Sequence, residues 1–267
     1  MDRATSHSIA RVQNTGDCSM PKTGLGSNAS IDLNKRIIFA LDLDAADTAR
    51  AWVKRLESRI GFYKVGLELF LAGGFPLVDW ILQRGHEVML DLKFFDVPQT
   101  VAAAVRQCLR FEVSFITVHG NDAMLEAAVG AGGRDRILAV TALTSLDQGD
   151  LASLGFACSL EALVTSRAER ALAMGCRGVV ASGREAPLLR ERLGSSLCIV
   201  TPGVRPISNT EHDDQKRIVD PATAIRQGAD HIVVGRPLRR AVDPLAAAAQ
   251  MQKAIQEVLE EDSIQSS

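Results

Sequence analysis

From Arg36 onward, short apolar runs alternate with Ala-, Leu- and Arg-rich stretches, and the alternation repeats eight times. The candidate strands are 37–41, 62–65, 88–92, 115–118, 137–140, 178–181, 197–200 and 231–234. Helix-like segments fall between them at 45–56, 76–84, 100–109, 122–129, 160–174, 184–193 and 221–227, and an amphipathic stretch at 244–259 closes the series. Strands that are apolar almost throughout are buried on both faces, as in parallel sheets. Eight βα units of this length predict an α/β chain folded as a single-domain (β/α)8 TIM barrel. The rival, a doubly wound open sheet, would usually carry a Gly-rich dinucleotide turn after its first strand. Here the first strand runs into Asp42-Leu43-Asp44, so the barrel is preferred.

The barrel accounts for residues 34–261. The first 33 residues are polar, mixed in charge and lack the apolar core of a secretory signal. They are expected to be a disordered N-terminal extension, with Met20 an alternative first residue. Residues 262–267 are expected to form a flexible tail. A net charge of −2 and only 4% aromatic residues argue against a nucleic-acid partner. No stretch approaches the roughly 18 apolar residues of a membrane span. Five cysteines without a CxxC pair suggest reduced thiols in a cytoplasmic protein.

In a barrel, chemistry belongs at the carboxyl ends of the strands. The segment Asp91-Leu92-Lys93-Phe94-Phe95-Asp96-Val97-Pro98-Gln99-Thr100 stands there, after the apolar run Val88-Met89-Leu90. Side chains on a strand alternate with period two, so Asp91 and Lys93 are expected on one face. Pro98 is expected to end the strand, and Thr100 opens a helical pattern. Asp42 ends the first strand and Lys64 lies within the second, where a buried lysine needs a carboxylate partner. His119 ends the fourth strand, while Thr141 and Thr144 follow the fifth. Two lysines and two or three aspartates meeting in one mouth would form a network of small net charge. Opposite charges within about 4–6 Å keep both ammonium groups protonated, and a fixed ammonium can act as a general acid.

The last two loops supply Gly203, Arg205, Gly235 and Arg236, a glycine and arginine set suited to a phosphate. The polar stretch 204–219 is long enough for a lid, with a surface excursion as the alternative. Asp91, Asp96 and His119 are also divalent-metal ligand types, but two neighbouring lysines compete for the same carboxylates, so no metal is expected.

These residues carry a family resemblance over about residues 36–259. The chain resembles bacterial-type orotidine 5′-phosphate decarboxylase in Ala40-Leu41-Asp42, Lys64-Val65-Gly66, the whole 91–100 segment, Val118-His119 and Val140-Thr141-Ala142-Leu143-Thr144-Ser145. It does so again in Val200-Thr201-Pro202-Gly203-Val204-Arg205-Pro206, Asp214-Gln215-Lys216-Arg217 and Val234-Gly235-Arg236-Pro237. The DxKxxD core alone is shared with sister barrels; the ordered set is specific. Phe95 and Gln99 depart from the usual His and Asn.

The resemblance implies a cofactor-free lyase of pyrimidine biosynthesis that makes UMP and CO2 from orotidine 5′-monophosphate. It places Asp42 and Lys64 on the ribose hydroxyls, Asp91 beside the scissile carboxylate and Lys93 as the proton donor to C6. Asp96 and Thr100 would reach the neighbouring site of a homodimer, and Thr144 would face the pyrimidine. Gln215, Arg205, Gly235 and Arg236 would grip the phosphate. Two alternatives stand beside it. One is a magnesium-dependent keto-sugar-phosphate decarboxylase or aldolase of a sister barrel, which typically has an acidic metal ligand where Lys64 stands. The other is a phosphoribosyl-ligand binder without chemistry.

Overall fold

A computed structural model describes residues 31–205 and 219–265. Eight parallel strands close on themselves in sequence order: β1 (Ile37–Ala40), β2 (Phe62–Gly66), β3 (Glu87–Phe94), β4 (Phe115–His119), β5 (Ile137–Val140), β6 (Gly178–Val180), β7 (Cys198–Thr201) and β8 (His231–Val234). Closure is made by β1 against β8, with Phe39 opposite Val234. The expected (β/α)8 barrel is therefore the observed fold.

The helices are α1 (Leu33–Arg36), α2 (Ala46–Leu56), α3 (Leu67–Gln83), α4 (Pro98–Cys108), α5 (Asp122–Ala128), α6 (Gln148–Ser153), α7 (Leu160–Ala173), α8 (Ala186–Leu193), α9 (Pro221–Arg226), α10 (Arg236–Arg239) and α11 (Pro244–Gln265). The short helices α1, α6 and α10 were not expected, and three others differ from expectation. α3 starts at Leu67 rather than at residue 76, and its two halves meet at Gly74, whose φ of 54° only glycine adopts easily. Pro98 does not terminate the strand: β3 ends at Phe94, and Pro98 opens α4, where its missing N–H costs no helical hydrogen bond. α11 continues to Gln265, into the stretch read as a tail.

Strand alternation divides the core in two. Ile38 and Ala40 of β1, Phe62 of β2, Met89 of β3 and Val140 of β5 point into the barrel. Ile37, Phe39, Tyr63, Val65, Val88 and Leu90 point outward and pack under the helices. The amino-terminal end is plugged by three rings, Phe62, Phe115 and His231, with centroids 5.4–5.5 Å apart. His231 Nδ1 lies 2.8 Å from the Lys35 carbonyl oxygen. Burial of each phenylalanine contributes about 1.5–3 kcal/mol. With one end sealed by aromatic packing, only the carboxyl end is left for a ligand.

Candidate active site

The inward series of each of the first three strands ends in a charge. Ala40 is followed two residues on by Asp42, Phe62 by Lys64, and Met89 by Asp91. The top layer of the barrel interior is thus ionic, and it sits directly on an apolar floor. Lys64 Nζ donates to Asp42 Oδ1 at 2.8 Å and lies 3.3 Å from Asp91 Oδ2. Lys93 Nζ donates to the other Asp91 oxygen, Oδ1, at 2.8 Å. The order is therefore Asp42, Lys64, Asp91, Lys93, alternating in sign. Gly66 leaves room for it: a Cβ there would lie 3.2 Å from Lys64 Nζ and 3.4 Å from Asp42 Oδ1.

Burial alone would push the Lys64 ammonium towards its neutral form, but the Asp91 and Asp42 carboxylates outweigh it, and the pKa is raised. Burial would likewise favour protonated Asp91. Lys64 and Lys93 overcome that, and the carboxyl is held below its usual range. Both groups are charged at neutral pH. The Asp91 and Lys64 side chains are each only 11% exposed, whereas Lys93 is 37% exposed. The two ends of the chain, the Lys93 ammonium and the Asp42 carboxylate, are thus the members offered to a ligand.

Lys93 owes its place to an irregularity rather than to simple alternation. Its φ is 47°, the one left-handed non-glycine among the described residues. The β3–β4 register breaks between Leu90 and Phe94. The backbone N–H of Lys93 donates to Thr117 Oγ1 at 2.8 Å instead of to a strand carbonyl. Asp91 and Lys93 come together as expected, but by way of this bulge rather than by the regular alternation expected of a strand.

A cavity of about 280 Å3 opens above the ionic layer, lined by Asp42, Lys64, Asp91, Lys93, Thr144, Arg205, Gly235 and Arg236 among others. Eight of the expected site residues therefore converge. Asp96 and Thr100 do not line it: both are exposed, and Asp96 Oδ1 accepts from the Val97 N–H at 2.6 Å. Gln215, with most of the expected lid at 204–219, lies outside the described residues. Most of the rest of the wall is apolar, with Met89, Val140, Val180, Pro202 and Val233, to none of which the sequence assigned a role. Gly203 on the same wall has a φ of 75°, a turn that disfavours any side chain.

His119 is outside the cavity lining, with its ring 5.1 Å from Phe95. Burial and the nearby Arg167 and Lys93 cations lower its pKa, so it is neutral at pH 7. Among the described residues no group of three or more His, Cys, Asp or Glu side chains is placed to hold a metal ion. Asp91, the central carboxylate, is taken up by ammonium groups. The cavity thus offers a fixed cation over an apolar floor at one place, and arginine with glycine backbone at another. It fits a flat, partly apolar anion that carries a second, phosphate-like anion.

Comparison with known proteins agrees with this chemistry. The sequence profile of the family described as "Orotidine 5'-phosphate decarboxylase / HUMPS family" matches residues 35–251. The chain is 54% identical to the orotidine 5′-phosphate decarboxylase of Methylococcus capsulatus over 233 residues, 87% of this chain and 96% of that protein. It is 48% identical to that of Xanthomonas oryzae over 225 residues, 83% of this chain and 92% of that protein. Among solved structures, the orotidine 5′-phosphate decarboxylase of Lactobacillus acidophilus superposes with a TM-score of 0.73 at 31% identity. That match covers 83% of this chain and 99% of the other.

Proposed function

The chain belongs to the orotidine 5′-phosphate decarboxylase / HUMPS family, and from that premise we propose that it converts orotidine 5′-monophosphate to UMP and CO2. The observation that carries the mechanism is the Lys64–Asp91–Lys93 chain, closed by bonds of 3.3 and 2.8 Å, with Lys93 exposed to the cavity.

Breaking the bond from C6 to the carboxylate releases CO2 and leaves an electron pair in the ring plane. No adjacent group in the ring delocalises that pair, so stabilisation comes from a preorganised positive charge. Lys93 Nζ supplies it and then gives one proton to C6; the resulting amine regains a proton from water. Lys64 is the counterweight. Flanked by Asp42 and Asp91, it lets Asp91 stay ionised and hold the Lys93 ammonium in place. In this reading Asp42 and Lys64 meet the ribose hydroxyls, Asp91 lies beside the departing carboxylate and Thr144 faces the pyrimidine. Arg205, Gly235 and Arg236, with Gln215, hold the phosphate. Binding energy from that remote group is available to orient the reacting ring.

We further propose a homodimer in which Asp96 and Thr100 complete the neighbouring site. Its support is the exposure of both residues with large apolar neighbours in the chain: Phe95 and Val97, on either side of Asp96, are 68% and 62% exposed. A cytoplasmic location accords with a soluble metabolic enzyme family, and no described helix is long and apolar enough to cross a membrane. The magnesium-dependent sister-barrel activity is not favoured: the relatives are named decarboxylases of orotidine 5′-phosphate, and Lys64 occupies the place of an acidic ligand.

The test is the fall in ultraviolet absorbance of orotidine 5′-monophosphate with purified protein and excess EDTA, with UMP identified by chromatography. Stoichiometric UMP is expected. Absence of turnover that magnesium restores would transfer the assignment to the sister-barrel chemistry.

A further inference from the structure

Thr117, near the middle of β4, is fully buried, yet it is a polar residue on a barrel strand below the cavity. Its hydroxyl meets three groups of β3. It accepts from the Lys93 backbone N–H at 2.8 Å, and Asp91 Oδ1 and the Leu90 carbonyl oxygen lie 3.2 and 3.4 Å away. A hydroxyl has one proton to give. The nearer and charged acceptor is Asp91, so the hydroxyl relays a hydrogen bond from the Lys93 amide to the Asp91 carboxylate.

The register explains why a side chain is needed here. Leu90 pairs with Ile116 and Phe94 with Val118, so Asp91, Leu92 and Lys93 on β3 face Thr117 alone on β4. The bulge that brings Lys93 over Asp91 takes the Lys93 amide out of the backbone ladder, and a buried amide left unpaired there would be destabilising. It also holds Lys93 at a φ of 47°, a left-handed conformation unfavourable for a residue with a side chain. An unforced Lys93 would leave it.

We propose that Thr117 is a positioning residue: through its hydroxyl it locks the β3 bulge and fixes the Lys93 ammonium and the Asp91 carboxylate in their reacting arrangement. It lies outside the cavity lining and would not touch substrate. The inference rests on the decarboxylase reading for its kinetic consequence but not for its structural one. The effect expected is on the chemical step, because misplacing a reacting group by an ångström costs on the order of 100-fold in rate while ground-state binding is little changed.

The experiment compares wild type, Thr117→Val and Thr117→Ser in the absorbance assay and in crystal structures. Thr117→Val keeps the shape and removes the hydroxyl; kcat is expected to fall roughly 10- to 100-fold with KM within about twofold. Thr117→Ser keeps the hydroxyl and is expected to retain kcat within about threefold. An unchanged kcat in Thr117→Val, or equal losses in both variants, overturns the proposal; the second result would assign the losses to packing at this position rather than to the hydroxyl. If Thr117→Val does not fold, Thr117→Cys replaces it, since it differs from Thr117→Ser only by sulfur for oxygen, a far weaker hydrogen-bonding atom. A wild type without turnover would refute the decarboxylase reading alone. The positioning claim is then read from the crystal structures: Lys93 is expected to leave its left-handed φ in the hydroxyl-free variant and keep it in Thr117→Ser, and an unmoved Lys93 overturns it.

Discussion

Replacing Asp91 by alanine removes the hinge of the charge chain and tests whether that chain holds the protein together as well as serving catalysis. The carboxylate contacts Lys64 at 3.3 Å, Lys93 at 2.8 Å and Thr117 at 3.2 Å. Breaking a buried ion pair by deleting one partner costs about 3–5 kcal/mol. Two features reduce this: Lys64 keeps Asp42 at 2.8 Å, and Lys93 is exposed enough to be hydrated. A loss of about 2–3 kcal/mol at neutral pH follows, which for a chain of this size lowers Tm by roughly 5–10 °C. The pH dependence has a definite sign. Asp91 has a folded pKa below its ordinary 3.8, so the unfolded chain takes up the proton first as pH falls. The Asp91 contribution is complete above 3.8 and fades below it. Lys64 is raised above 10.5, so its contribution fades as pH climbs beyond that value. Calorimetry across pH should show a gap between wild type and Asp91→Ala that is flat near neutrality and narrows at acid pH. A variant as stable as wild type at pH 7, or a gap that widens in acid, would refute the network as described.

Other parts of the molecule make further predictions. Arg236→Ala should raise KM roughly 10- to 100-fold with kcat little changed, because loss of one charge-assisted contact to an anion costs about 1.5–3 kcal/mol; an unchanged KM in steady-state assays would remove Arg236 from the phosphate site. His231 in the aromatic plug has its pKa lowered by burial, so it destabilises the fold as pH drops below its ordinary 6.5, where the unfolded chain takes up the proton more readily. His231→Phe should flatten that part of the Tm-against-pH curve, and an unchanged slope would contradict a neutral His231. Lys93→Ala should bind UMP in calorimetric titration but turn over almost no substrate.

The barrel was legible because its strands are apolar on both faces and separated by helical periodicity; all eight appear within a few residues of their expected bounds. What escaped was local. The first half of α3 was hidden by Gly73-Gly74-Phe75-Pro76, which reads as a break and is a kink within one element. The short α6 is polar and is held by a reciprocal cap between Asp147 and Asp150, a signal weaker than hydrophobic periodicity. In the site, Asp42, Lys64, Asp91 and Lys93 stood out because a charge next to an apolar strand demands a partner. Met89, Val140, Val180 and Val233 did not, because residues lining a cavity continue the same inward series as residues filling the core. Thr117 was invisible for another reason: its partners are set by a bulge, and register is a property of two strands together.

The proposed mechanism makes Lys93 the proton donor in a decarboxylation that needs nothing but the protein. It is tested most directly by following orotidine 5′-monophosphate absorbance, in EDTA, with wild type and Lys93→Ala side by side at saturating substrate. Wild type is expected to convert the substrate fully to UMP, and the variant to run at a rate near the uncatalysed one. Appreciable turnover by Lys93→Ala would contradict it.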